Sequence, residues 1–139
     1  MANYHGLEFR TALEARWAAF FDLAGWQWRY NPAAVDDWKP DFEVTFPCGH
    51  SECPDTHTLL IAVLATKDLD SVRGHPALQY TYQEHFTADA GALFGSEPAA
   101  TTWDMSHGAG GGHFDVAFWV DDAAKLWAQA GAQVTAPTR

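Results

Sequence analysis

Basic residues are scarce. Lys and Arg number 8 against 18 Asp and Glu, a formal charge of −10. A field of that sign repels phosphate backbones unless a local basic strip or a metal ion overrides it. Direct nucleic-acid binding is therefore disfavoured, and a basic protein surface is the better partner. Cysteine is scarcer still, with only Cys48 and Cys53, both beside His50. Two thiols do not make a disulfide scaffold. None is needed at 139 residues, since a chain near this size buries roughly 68–70% of its unfolded surface. No apolar run approaches the roughly 20 residues that span a bilayer. The opening MANYHGLEFR has no positive segment leading into an apolar one, so no secretory leader is expected. These features point to a cytosolic (host-cell) chain with reduced thiols or a small metal site, and to no membrane partner. What is abundant is aromatic: 14% of residues, seven of them Trp. With 47% hydrophobic and 19% charged residues the chain is not disordered, and a single domain over 1–139 is expected.

Residues 6–24 have helical periodicity. Phe9, Leu13, Trp17, Phe20 and Ala24 recur at three- and four-residue spacing, and Gly25 supplies a stop. Residues 26–30 and 41–46 alternate as strands do. Thr58 to Thr66 is nearly all apolar, as suits a central strand covered on both faces. Lys67 to Gly74 predicts a short helical turn, Gln79 to Tyr82 an edge strand, and residues 100–105 and 114–120 further strands. The glycine tract 108–112 is expected to lie outside regular structure. Asp121 or Asp122 reads as the N-cap of a last helix that Gly131 ends. The class expected is α+β, sandwich-like, with a central mixed sheet flanked by an N-terminal and a C-terminal helix.

Local chemistry is concentrated in a few places. Cys48, His50, Cys53 and His57 fall within ten residues of a Pro-flanked loop. Zn²⁺ takes four such ligands in a tetrahedron. A closed zinc clip there would brace the loop. The alternative is a polar loop that merely contains these residues. Glu14 follows Arg10 by four residues and is either a helix-surface ion-pair partner or a site acid. Asp41 after Pro40 is either a turn residue or a site acid. His107 and His113 bracket the glycines, whose N–H groups could cradle an anion, but the tract lacks a phosphate-loop pattern. His75 and His85 read as structural or exposed. Trp26, Trp28 and Tyr30 share one strand face that either packs on the first helix or forms a binding patch.

The segments Leu13-Glu14-Ala15-Arg16-Trp17-Ala18 and Trp38-Lys39-Pro40-Asp41-Phe42 resemble small phage and bacterial proteins of the PD-(D/E)XK nuclease-like superfamily. The likeness spans residues 4–66, with a fainter one over 126–131. It implies a restriction-endonuclease-like core. In that family two carboxylates and a strand carbonyl hold a hard cation, usually Mg²⁺, and a Lys assists the reaction. By this resemblance Asp41 would be the metal carboxylate and Glu14 the helix acid. The following strand should carry Glu-x-Lys, and here Ala62 and Leu64 stand in those places. Neither side chain can bind a metal, donate a proton or carry charge. Contacts of that kind are commonly worth ~3–4 kcal/mol each in a transition state. Lys67 lies an odd number of residues beyond Leu64, on the opposite face of a continuing strand.

The expectation is a nuclease-like protein that no longer cuts, with Glu14, Asp41, Ala62 and Leu64 as relic positions. It would act by binding a basic protein or nucleoprotein defence complex of a host, as an anti-CRISPR or other anti-defence inhibitor does. A homodimer through an open strand edge is compatible with the pattern. The competing expectation is a Mg²⁺- or Mn²⁺-dependent endonuclease whose third ligand is displaced, with Glu43 or Glu52 migrating into the site.

Overall fold

In the computed structural model a β-hairpin stands where the helix of residues 6–24 was expected to begin. The structure describes residues 2–35, 38–47, 56–72, 74–79, 88–107 and 110–134. Strands β1 (Ala2–Tyr4) and β2 (Leu7–Phe9) pair antiparallel across His5-Gly6, whose φ angles are 51° and 79°. Two consecutive left-handed residues match the twist of paired strands, and glycine adopts that conformation without steric cost. Phe9 sits at helical spacing from Leu13, which is what the periodicity detected, yet it ends β2. Helix α1 (Ala12–Ala24) starts at the Thr11 cap, whose side chain accepts the Glu14 N–H at 3.1 Å. Gly25, at φ 79°, closes it as expected.

Among the described residues the main sheet has six strands in spatial order: β3 (Gln27–Tyr30), β4 (Phe42–Pro47), β5 (Thr56–Val63), β6 (Ala90–Phe94), β7 (Thr101–His107) and β8 (Gly110–Phe114). β5 and β6 run parallel, and every other neighbouring pair is antiparallel. The class is thus α+β with a mixed sheet. Two short helices of the tail follow, α2 (Val116–Trp119) and α3 (Ala123–Gln133). No described helix is long and apolar enough to cross a membrane.

Several expectations for the second half are corrected. The glycine tract enters regular structure, because Gly110 to Phe114 pair with β7 through backbone groups that need no side chain. Residues 116–119 are helical, not part of a strand. Pro76–Gln79 form a 3-10 turn where an edge strand was expected to begin, and 80–82 lie outside the described residues. Leu69–Val72 form the expected short turn. Asp122 is the N-cap of α3, as expected, though at φ 56° and without a capping side-chain bond. Gly131 does not end α3 but sits inside it, where a Cβ would lie 2.9 Å from Arg16 Cζ. That vacancy admits the Arg16 guanidinium, which donates to the Trp127 carbonyl at 2.8 and 3.0 Å and lies 4.2 Å from the centre of its ring. The two helices are joined there.

Strand alternation divides the core. Phe42, Val44, Phe46, Leu59, Ile61, Ala92 and Phe94 join α1 and Trp127 in one aromatic cluster. Trp17 anchors it, with its ring 4.7 Å from Phe94 and 4.4 Å from Trp127, and its Nε1 donates to the Gly95 carbonyl. Ala62 and Leu93 alternate away from that cluster and meet Ala77. Trp38, Leu64, Leu69, Val72 and Leu78 pack around them. β5 is therefore central and covered on both faces, as its apolar run indicated. Trp26 stacks 5.8 Å from Phe21 and 4.2 Å from Phe46, so its strand packs on the first helix.

Candidate functional site

The two acids singled out in the sequence converge. Glu14 lies in the first turn of α1 and is 6% exposed. Asp41 stands at the mouth of β4, where its N–H donates to the Ile61 carbonyl at 2.7 Å. Between them lies the guanidinium of Arg10, which follows β2 directly. Arg10 Nη2 donates to Asp41 Oδ1 at 2.6 Å and is 3.2 Å from Glu14 Oε2. Arg10 Nε lies 3.4 Å from Glu14 Oε1. Tyr30, at the end of β3, donates its hydroxyl to Glu14 Oε1 at 2.7 Å and accepts from Arg10 Nε at 3.0 Å. Asp41 Oδ2 accepts the Val63 N–H at 2.7 Å.

That last bond has a local cause. The antiparallel β4–β5 ladder ends at Phe42 and Ile61, so Val63 loses its backbone acceptor, and the Asp41 carboxylate replaces it. Asp41 thus caps β5 in addition to facing Arg10. Burial raises its carboxyl above the ordinary range, and the nearby charge of Glu14 adds to that. The Val63 N–H and Arg10 pull the other way without cancelling it. Burial likewise raises the Tyr30 phenol, and its hydrogen bond to Glu14 adds to the effect. Burial works against the charge of Arg10, but Glu14, Tyr30 and Asp41 outweigh it and hold the guanidinium protonated.

Each of the four carboxylate oxygens therefore faces a donor. As arranged, the acids do not fit Mg²⁺, which takes near-octahedral oxygen ligands and whose place between them is held by a guanidinium. Ala62 contributes nothing to this cluster. It stands beside Asp41 along the strands, but its side chain packs on Ala77 and Leu93, and Leu64 packs there too. The opposite face offers Ile61 and Val63, also without a ligand. Lys67 pairs with Glu97 at 3.3 Å, and Glu43 pairs with Arg29. Neither is brought to the site. Glu52 lies outside the described residues.

The cysteine-histidine loop is described only at its end. Cys48, His50 and Cys53 lie outside the described residues, as does His85. His57 is buried on β5, with its ring against Phe46 and Trp119 and its Nδ1 3.5 Å from Asp89 Oδ2. Among the described residues no group of three or more His, Cys, Asp or Glu is arranged to hold a metal ion. His75 accepts the Ala77 N–H on Nδ1 at 3.0 Å, a structural bond as expected. His107 and His113 fall on β7 and β8.

Two members of the cluster, Arg10 and Tyr30, went unassigned as site residues in the sequence. The Arg10–Glu14 spacing was visible as a helical pair, but Arg10 lies before the helix, and its second acid is 31 residues away. Tyr30 read as part of an aromatic strand face, and nothing local marks its hydroxyl. Comparison with protein-family models, with curated proteins and with solved structures finds no match to this chain.

Proposed function

We propose that this chain is a nuclease-like protein that acts by binding rather than by cutting, in the manner of an anti-CRISPR or related anti-defence inhibitor. One observation carries the first half: the Arg10 guanidinium stands between Glu14 and Asp41, and apolar packing fills the space beside Ala62. A protein cation fixed by both acids does the electrostatic work that a divalent ion would do, but it has no exchangeable water to activate. The order of elements supports the restriction-endonuclease-like reading. A helix is followed by a three-strand meander, and the next strand runs parallel to the third. The partner class follows from the charge of −10, which favours a basic protein or nucleoprotein surface.

Purified protein incubated with supercoiled plasmid and Mg²⁺ or Mn²⁺ is expected to leave it intact. Cleavage by the wild type that Asp41→Ala abolishes would overturn the reading. Capture of a basic nucleoprotein should weaken steeply with salt, and salt-insensitive capture would remove the electrostatic half. The endonuclease alternative draws on the convergence of Glu14 and Asp41. It requires Arg10 to leave, so it predicts that Arg10→Ala gains metal-dependent cleavage. The binding reading predicts instead a loss of about 1–3 kcal/mol of stability, measured by urea unfolding, with no activity gained.

A further inference from the structure

The outer side of Arg10 opens onto a pocket of about 370 Å³, lined by Arg10, Asn31, Pro32, Ala34, Lys39 and Pro40. We infer that this pocket binds a small organic oxyanion, a phosphomonoester or carboxylate, between Arg10 and Lys39.

Three observations converge on it. First, Arg10 is immobilised from behind. Its Nε and Nη2 are committed to Tyr30, Glu14, Asn31 and Asp41, while Nη1 has no partner among the described residues. Its side chain is still 53% exposed. A guanidinium held in this way loses little freedom when it takes one more acceptor. Second, Lys39 is exposed and has no ion-pair partner among the described residues. In a chain with 8 bases and 18 acids, the charged side chains lining this concavity among the described residues are both cations. Third, the Asn31 carboxamide oxygen accepts from Arg10 at 3.2 Å, which leaves its NH₂ as a further donor. Asn31 is fixed in turn, since its backbone N–H donates to the Asp41 carbonyl at 2.9 Å. The side chains of Pro32, Ala34 and Pro40 supply the apolar part of the wall. The volume lies at the small end of the range for small-molecule sites. The local sum explains why one anion suffices. Among the described residues Arg10 and Lys39 offset Glu14 and Asp41, so binding is carried by directed donors, and a highly charged polyanion gains nothing from the field of a chain at −10.

The test uses the full-length protein, isotope-labelled for NMR and titrated with phenyl phosphate, with benzoate, and with sodium chloride at matched ionic strength. Saturable shifts at Asn31, Lys39 and the Arg10 side chain are expected with at least one of the organic anions, and the stronger one identifies the head group. Lys39→Gln, a change at an exposed position, should weaken that binding by roughly tenfold. Shifts no different from those in chloride, or binding unaltered in Lys39→Gln, would overturn the assignment. The plasmid assay is independent of this outcome, so either proposal can fail alone.

Discussion

On the α1 side of the main sheet, Trp17, Phe20, Phe21, Phe42, Phe46 and Phe94 pack ring against ring, closed by Trp127. On the other side the buried residues among those described include Leu60, Ala62, Ala77 and Leu93, with two 3-10 turns and the indole of Trp38 over them. The first face is thick, with large rings meeting at fixed angles. The described cover of the second is thinner, with mostly aliphatic side chains under short 3-10 turns. The position beside Asp41 that a cutting enzyme would fill with an acid belongs to the thin face. Ala62 at that position packs against Ala77 and Leu93, so the covering segment occupies the space a larger side chain would need. Glu14, Asp41 and Arg10 belong to the rim of the thick face, where a helix start and the ends of β2, β3, β4 and β5 meet.

The difference predicts an unequal response to truncation. Trp17→Ala removes the anchor of the thick face and an indole donor, and should cost about 3–5 kcal/mol in urea unfolding. Leu93→Ala on the thin face should cost less, about 2–3 kcal/mol, because a loop collapses onto a cavity more readily than a helix does. Equal losses would mean the faces are equally rigid. Ala62→Glu should destabilise by about 3 kcal/mol, since the carboxyl enters an apolar cluster of Ala77, Leu93 and their neighbours. If the variant is as stable as the wild type, the covering segment lifts easily, and the vacancy is less closed than the packing indicates.

The smallest effect concerns His75, edge-on to Trp38 on the thin face. Burial lowers its pKa from 6.5, with Asp41 opposing in part. The neutral ring is favoured in the folded state, where Nδ1 accepts the Ala77 N–H. Its contribution is therefore fully present above pH 6.5 and is lost as pH falls through the lowered folded value. The wild type should lose stability relative to His75→Asn across that interval, measured as the difference between their unfolding midpoints. A difference independent of pH would remove His75 from the thin face's stabilising contacts.

Much of this arrangement was legible in the chain. The alternations at 26–30 and 41–46 and the apolar run from Thr58 became β3, β4 and the centre of β5. Strands with one wet face or two dry ones leave such marks. The first hairpin was hidden because Phe9 satisfies helical spacing by coincidence, although Thr11 with Glu14 marked the true helix start. β8 was hidden because glycines carry no side-chain pattern, and strand pairing uses only backbone groups. Of the site, the two acids could be found from residue type and setting. Arg10 as the group between them, and Tyr30 behind, could not, since their partners come from a helix and a strand mouth distant in the chain. Gly131 misled because a glycine that admits a neighbouring guanidinium looks like one that ends a helix.

Gly95 imposes a sterner condition than any residue of the cluster. A Cβ there would lie 2.3 Å from the Thr66 carbonyl oxygen and 2.8 Å from that of Ala100, both of them main-chain atoms. Side chains can swing aside, but two crossing backbones cannot. Any divergent descendant that keeps this architecture must keep a bare α-carbon at that crossing or reroute both strands of the chain. That position, followed by a tight reversal, is a better fingerprint for tracing remote kin than the acids that first drew attention.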